Sequence, residues 1–116
     1  MKKTLFLDID GCLIKHKGNL SEQISSEAEL LPGVLEKLNQ WEADGCRIIL
    51  TTGRKNSMRK FTEEQLLKLG IFYDELVMGL PRGERIVIND GKPNSDVSTA
   101  RAIQIVRNSG LIDVEI

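Results

Sequence analysis

Residues Thr4 to Ile9 (Thr-Leu-Phe-Leu-Asp-Ile) form a short, nearly continuous apolar run that stops at Asp10-Gly11. A run of this kind reads as a strand buried on both faces and ended by a turn. Such strands belong to parallel sheets covered by helices, and the rest of the chain supplies elements in the matching order.

A polar stretch from Lys15 to Glu29 leads to Pro32-Gly33, which opens a helical pattern with Val34, Leu38 and Trp41 on one face and Gly45 at its end. A second strand is predicted over Arg47 to Leu50, closed by Thr51-Thr52-Gly53. From Ser57 to Leu69 the apolar residues Met58, Phe61, Leu66 and Leu69 recur at helical spacing, with Gly70 as terminator and a restart allowed at the Thr62/Gln65 capping-box pair. Further strands are expected at Leu76 to Met78 and at Ile86 to Ile88 before Asn89-Asp90-Gly91; Arg101 to Val106, before the Asn108-Ser109-Gly110 turn, fits a helix or a strand, with its β-branched residues favouring the strand. Trp41 and Phe61 read as core.

The alternation predicts an α/β fold: one Rossmann-like domain over residues 1–116, with a central, mainly parallel sheet flanked by helices. Right-handed crossovers then bring the carboxyl ends of the strands to one edge, where ligands bind. Three polar clusters end three of those strands: Asp8-Ile9-Asp10-Gly11, Thr51-Thr52-Gly53-Arg54 and Asn89-Asp90-Gly91. They can converge although they lie far apart in sequence.

Alternate residues of a strand share a side, so Asp8 and Asp10 can aim into one crevice while Gly11 lets the backbone turn. Adjacent carboxylates repel unless a cation or a shared proton relieves them. With Asp90 as a third acid, and no His or Cys donors in the clusters, the oxygen set suits Mg²⁺.

Asp8-Ile9-Asp10-Gly11-Cys12-Leu13, Thr51-Thr52-Gly53-Arg54 and the acidic turn at Asp90 resemble motifs I, II and IV of the haloacid dehalogenase superfamily of phosphatases, in an order covering roughly Thr4 to Val106. The resemblance implies a Mg²⁺-dependent phosphomonoester hydrolase with a phosphoaspartyl intermediate. Asp8 is then the nucleophile and Asp10 the acid/base; the Asp8 carboxylate, the Asp10 backbone carbonyl and Asp90 hold the metal. Thr51 or Thr52 donates to the phosphoryl oxygens, with Thr52 preferred, and Gly11, Gly53 and Arg54 line the substrate site. The superfamily's cation, usually lysine, falls to Arg82 first and Lys92 second. Asp96 reads as a solvated loop acid with metal-water orientation as the alternative, and Cys12 stands where threonine is common. His16, in a basic stretch, reads as solvated, with substrate contact from the flap after the first motif as the alternative.

The intervals Lys15 to Leu31 and Arg54 to Leu76 are too short for a cap domain, so the site is expected to be open. An open site fits large substrates or a lid from a neighbouring subunit in a homo-oligomer. Similar capless members act on sugar phosphates, which sets the substrate expectation.

Composition narrows the partners. Sixteen basic against seventeen acidic residues, a net charge of -1, leave no basic stripe for nucleic acid. No apolar run approaches the ~20 residues of a membrane span, and the run after Lys2-Lys3 stops too soon for a signal peptide. Two cysteines, Cys12 and Cys46, without CxxC spacing suit inert thiols in the cytoplasm. A non-catalytic reading stands beside the enzyme: a phosphate-sensing, partner-binding or receiver-like domain. Receivers place their phosphorylated Asp on the third strand, whereas Asp-x-Asp here ends the first.

Overall fold

A computed structural model describes residues 2–116. Its sheet has three parallel strands in the order β1 (Thr4–Asp8), β2 (Arg47–Thr51), β3 (Glu75–Val77). The register sets Asp8 beside Thr51, and Thr51 beside Val77. Two helices connect the strands: α2 (Val34–Ala43) before β2, and α3 (Arg59–Leu69) before β3. A short α1 (Leu20–Ser25) lies in the stretch read from sequence as merely polar. Asn19 caps α1, its side-chain oxygen accepting from the Glu22 amide at 2.9 Å. The architecture is the expected α/β, Rossmann-like arrangement of a parallel sheet flanked by helices.

Local chemistry accounts for the helix limits. Gly33 enters α2 at φ 76°, and α3 ends on Gly70 at φ 80°, a left-handed conformation that costs glycine least. The Gly70 and Ile71 amides donate to Leu67 and Leu66 carbonyls at 3.0 and 2.9 Å, satisfying the last turn. Thr62 does not restart a helix; it lies inside α3 and is fully buried.

Val34, Leu38 and Trp41 of α2 and Leu66 of α3 pack into one cluster with Ile48, Leu50 and Leu76 of the sheet. The same cluster takes in Ile9, Leu13 and Ile14 after β1, and Leu111 near the carboxyl terminus. On the other face, where the strand alternation puts Phe6, Asp8, Thr51 and Val77, Phe6 is 59% exposed and Val77 41% exposed.

Two expected strands do not form. Ile86, Val87 and Ile88 are 73%, 58% and 93% exposed and unpaired, and Arg101 to Val106 is likewise without regular structure. The connection before the first, residues 78–85, is shorter than the dozen or more residues usual for a parallel crossover. β-branched composition gives the second its strand propensity, but without a partner strand the propensity has nothing to act on.

Residues 81–106 therefore make an irregular arm, anchored at both ends. At its start the Gly79 and Leu80 amides donate to the Arg54 and Thr52 carbonyls at 2.7 and 3.1 Å. At its return the Asn108 amide donates to the Gly11 carbonyl at 2.9 Å, and the Leu111 amide to the Pro32 carbonyl at 2.8 Å. Gly110, at φ 81°, passes so close to Pro32 that a Cβ would lie 2.3 Å from its carbonyl oxygen. No helix among the described residues is long and apolar enough to cross a membrane.

Candidate functional site

Asp8 closes β1 and Asp10 follows it in the turn that Ile9 anchors. The Cys12, Leu13 and Ile14 amides all point at the Ile9 carbonyl, at 3.2, 2.9 and 3.1 Å, so the chain doubles back immediately after the acids. Gly11 makes the reversal at φ 92°, its amide donating to the Ile14 carbonyl at 2.7 Å. That amide is thus engaged within the loop.

Asp10 is tightly held. Arg54 donates from Nη2 to Asp10 Oδ1 at 2.7 Å and from Nε to Oδ2 at 2.9 Å, a two-pronged ion pair. The Arg54 side chain is only 2% exposed and that of Asp10 18%. The third arm of the guanidinium, Nη1, donates to Gln65 Oε1 at 2.8 Å and to the Thr62 hydroxyl at 3.2 Å on α3. Gln23 of α1 completes the clamp, its Nε2 donating to Asp10 Oδ1 at 2.8 Å and to the Lys15 carbonyl at 2.9 Å. Burying an arginine costs several kcal/mol unless its charge is paired and its donors used; here all three nitrogens are.

Asp8 differs. Its Oδ1 accepts from the Ile9 amide at 3.0 Å, and its side chain opens on the exposed face of the sheet. The crowding of the surrounding protein raises its carboxyl above the ordinary range, and the neighbouring Asp10 charge adds to this. The Ile9 hydrogen bond, the Arg85 guanidinium and His16 act in the opposite direction. Burial and the Asp8 charge push the Cys12 thiol up to about 11, so it is a poor nucleophile near neutral pH. Cys12 and Cys46 are both free and half-buried.

The two threonines separate clearly. Thr52 is 1% exposed, and its hydroxyl oxygen accepts from the Arg54 amide at 3.1 Å. Thr51 shares a face with Asp8 and donates weakly to the Leu7 carbonyl at 3.4 Å. Gly53 lies under the chain leaving β3, where a Cβ would stand 3.3 Å from the Leu80 carbonyl.

Several expected members are elsewhere. Arg54, expected at the substrate, is turned inward onto Asp10. Asp90 lies on the exposed arm, paired with Lys92 at 2.9 Å. Arg82 and Asp96 are also exposed on the arm. No group of three metal-ligating side chains forms among the described residues. Asp8 offers one free carboxylate oxygen and Asp10 its backbone carbonyl, while three sites of the Asp10 carboxylate are taken by Arg54 and Gln23; a magnesium ion that keeps several waters and takes further oxygens from a substrate phosphate fits such a sparse set. Because Ile86 to Ile88 do not pair as a strand, the third acid lies outside the site.

Sequence reasoning missed Gln23, Thr62 and Gln65 as site members. The Thr62/Gln65 spacing was visible, but three residues apart on a helix describes a capping box and a shared face equally well. Arg85 rather than Arg82 is the arm cation felt by Asp8. His16 is also close enough for its charge to act there, and it is fixed from below: Asn108 Oδ1 accepts from its amide at 2.7 Å and Asn108 Nδ2 donates to its carbonyl at 3.2 Å.

No protein-family model matches the chain, and no curated protein matches it. Among solved structures, it is similar to a chain of the Pnkp1/Rnl/Hen1 complex, 32% identical, over 66% of this chain and 27% of that one, with a TM-score of 0.57. A second structure, of the Pnkp1/Rnl/Hen1 RNA repair complex, gives 30% identity over 66% of this chain and 25% of that one, at the same TM-score of 0.57. A target protein from Vibrio cholerae is 22% identical over 75% of this chain and 79% of its own, with a TM-score of 0.53, a likeness of fold. The chain spans about a quarter of the length of the RNA-repair-complex chains it resembles.

Proposed function

We propose that this protein is a phosphomonoester hydrolase of the haloacid dehalogenase type, working through an aspartyl phosphate on Asp8. The observation that carries the reading is the contrast between two neighbouring acids at one strand end. One, Asp8, keeps an oxygen free on an open face; the other, Asp10, is oriented by Arg54 and Gln23. A structural turn has no use for a buried arginine spent on aiming a carboxylate beside a second, unpaired one.

In this reading the free oxygen of Asp8 attacks phosphorus and the bond to the ester oxygen breaks, while Asp10, entering the cycle protonated at its one unoccupied site, gives that proton to the leaving alcohol. Asp10 then takes a proton from water, which attacks the aspartyl phosphate; inorganic phosphate departs and Asp8 is regenerated. A carboxylate offers about four lone-pair sites, and Arg54 with Gln23 occupy three of those on Asp10, so one remains for the travelling proton. Thr51, on the Asp8 face, is placed to donate to a phosphoryl oxygen, and Arg85 and His16 offset the anionic charge. The resemblance supplies the Mg²⁺ requirement, and no step above is routed through the ion.

The missing cap leaves the face over Asp8 open, which suits a phosphate on the end of a larger molecule. Sugar phosphates remain the first substrate class to try. The likeness to chains from an RNA repair complex adds an oligoribonucleotide with a terminal phosphate to the same panel.

Phosphate release from these compounds, with and without Mg²⁺, tests the proposal. Asp8→Asn should lower the rate by roughly 10³-fold or more, and Asp10→Asn should do likewise. Undiminished turnover in Asp8→Asn rejects the assignment. A stable acyl phosphate without turnover selects the receiver-like alternative.

A further inference from the structure

A segment from the far end of the chain overhangs the turn that follows Asp10. The Asn108 amide donates to the Gly11 carbonyl at 2.9 Å. The Asn108 side chain meanwhile grips both backbone groups of His16, accepting from its amide at 2.7 Å and donating to its carbonyl at 3.2 Å. Asn108 does this from a left-handed backbone, φ 65°, which asparagine tolerates better than most residues. The flap after β1 and the carboxyl-terminal return are thereby joined directly beside the acidic pair, and the hydrolytic steps leave that junction without a task.

Two side chains leave the junction with donors to spare. A Cβ on Gly11 would stand 3.4 Å from Arg107 Cγ and 3.8 Å from His16 Cβ, so both side chains flank one spot over the turn. His16 Nδ1 accepts from the Gly18 amide at 3.1 Å, which puts the ring's N–H on Nε2, free to donate. Arg107 is exposed, and among the described residues its guanidinium forms no ion pair. Nearby cations are engaged. Lys15 pairs with Glu29 at 3.6 Å, Lys17 donates to the Glu27 carbonyl, and Arg85 donates from Nη1 to the Pro81 and Gly83 carbonyls at 3.1 and 3.0 Å.

His16 and Arg107 stand at different depths. His16 acts on the Asp8 carboxyl, whereas Arg107 is not among the charges felt there. One is within reach of a phosphoryl group at Asp8; the other lies beyond it. An arginine whose stem runs along the backbone with its head in water presents a planar fork that takes a carboxylate or a phosphate two-pronged.

We infer that His16 and Arg107 line a two-anion substrate site, in which His16 donates from Nε2 to the phosphoryl group at Asp8 and Arg107 holds a further negative group of the same molecule. The substrate is then a phosphomonoester that also carries a carboxylate or a second phosphate on the flap side of the scissile one. Asn108 is the positioning residue that keeps the two side chains together. The place of the scissile phosphate rests on the hydrolase reading, whereas the subsite itself is a matter of binding.

Calorimetry with Asp8→Asn protein and Mg²⁺ reads affinity without turnover. Two matched pairs of ligands serve: glycerol phosphate against phosphoglycerate, which adds a carboxylate, and fructose monophosphate against fructose bisphosphate, which adds a phosphate. The ligand with the further anion should bind about tenfold more tightly, as one hydrogen bond to a charged group allows, and the pair that shows it tells carboxylate from phosphate. With circular dichroism spectra unchanged, Arg107→Met should abolish the difference and Arg107→Lys should keep part of it. His16→Ala should weaken all four ligands, and His16→Gln should recover part of the loss because its amide also donates. Asn108→Gly, which suits the backbone but lacks the grip, should match His16→Ala and add nothing to it in the double variant. Equal affinities within both pairs, or a difference that survives Arg107→Met, overturn the subsite. Losses that add in the double variant overturn the positioning role of Asn108. The expected ranking in a wild type that hydrolyses none of the four keeps the subsite and removes the hydrolase; turnover without the ranking does the reverse.

Discussion

Asp8 and Asp10 show how two identical residues, one position apart from being neighbours, acquire different work from their surroundings. Asp10 faces a buried guanidinium and an amide; Asp8 faces solvent and is raised by crowding and by Asp10 itself. The raised Asp8 pKa has a definite sign in stability. A carboxyl harder to ionise when folded than when unfolded favours the native state at low pH, and that advantage is lost as pH rises above its ordinary value of 3.8 through the raised native one. Asp8→Asn should therefore melt higher than wild type at pH 7, with the gap closing below pH 3.8, as thermal scans across pH will show. Arg54 makes the opposite case. Arg54→Met should cost about 3 kcal/mol in urea titration by stranding a largely buried carboxylate. Asp10→Asn in the same protein should return part of it, because the stranded charge is gone. Arg54→Lys keeps the charge but not the fork and should fall between.

At the scale of elements, the sheet and its helices are held by ordinary apolar burial. Leu38→Ala on α2 should cost about 3 kcal/mol by denaturant unfolding, since its side chain lies in the main cluster. The return of the arm depends on a closer fit. Gly110→Ala meets both a left-handed backbone and the Pro32 carbonyl, so the last residues should detach: hydrogen exchange at Leu111 should rise at least tenfold while α3 stays protected. Asn108 makes the same return legible only after folding. Its bonds to Gly11 and His16 join positions that nothing in the sequence pairs. By contrast β1, α2, β2, α3 and β3 were all readable in advance, within a residue or two of their ends, because periodicity and glycine stops are local signals. The short α1 was missed: its run from Leu20 to Ser25 is mostly polar and carries little amphipathic pattern.

The whole molecule is a well-packed body with a long arm. Arg82, Arg85 and Arg101 offer trypsin exposed sites along it. Limited trypsin should therefore cut the protein within the arm at least ten times faster than within the body. The amino-acid sequence by itself determined the α/β class, the succession of strands and helices along the chain and the placing of Asp8, Asp10, Thr51 and Thr52 at strand carboxyl ends, because strand termini follow from local apolar runs and turn residues. Tertiary structure alone decided that Arg54 turns inward to aim Asp10, and that Asp90 stays off the site of its own chain. The first depends on which polar groups α1 and α3 bring within reach of a buried charge; the second depends on whether Ile86 to Ile88 find a strand to pair with. Neither quantity is written in any one stretch of residues.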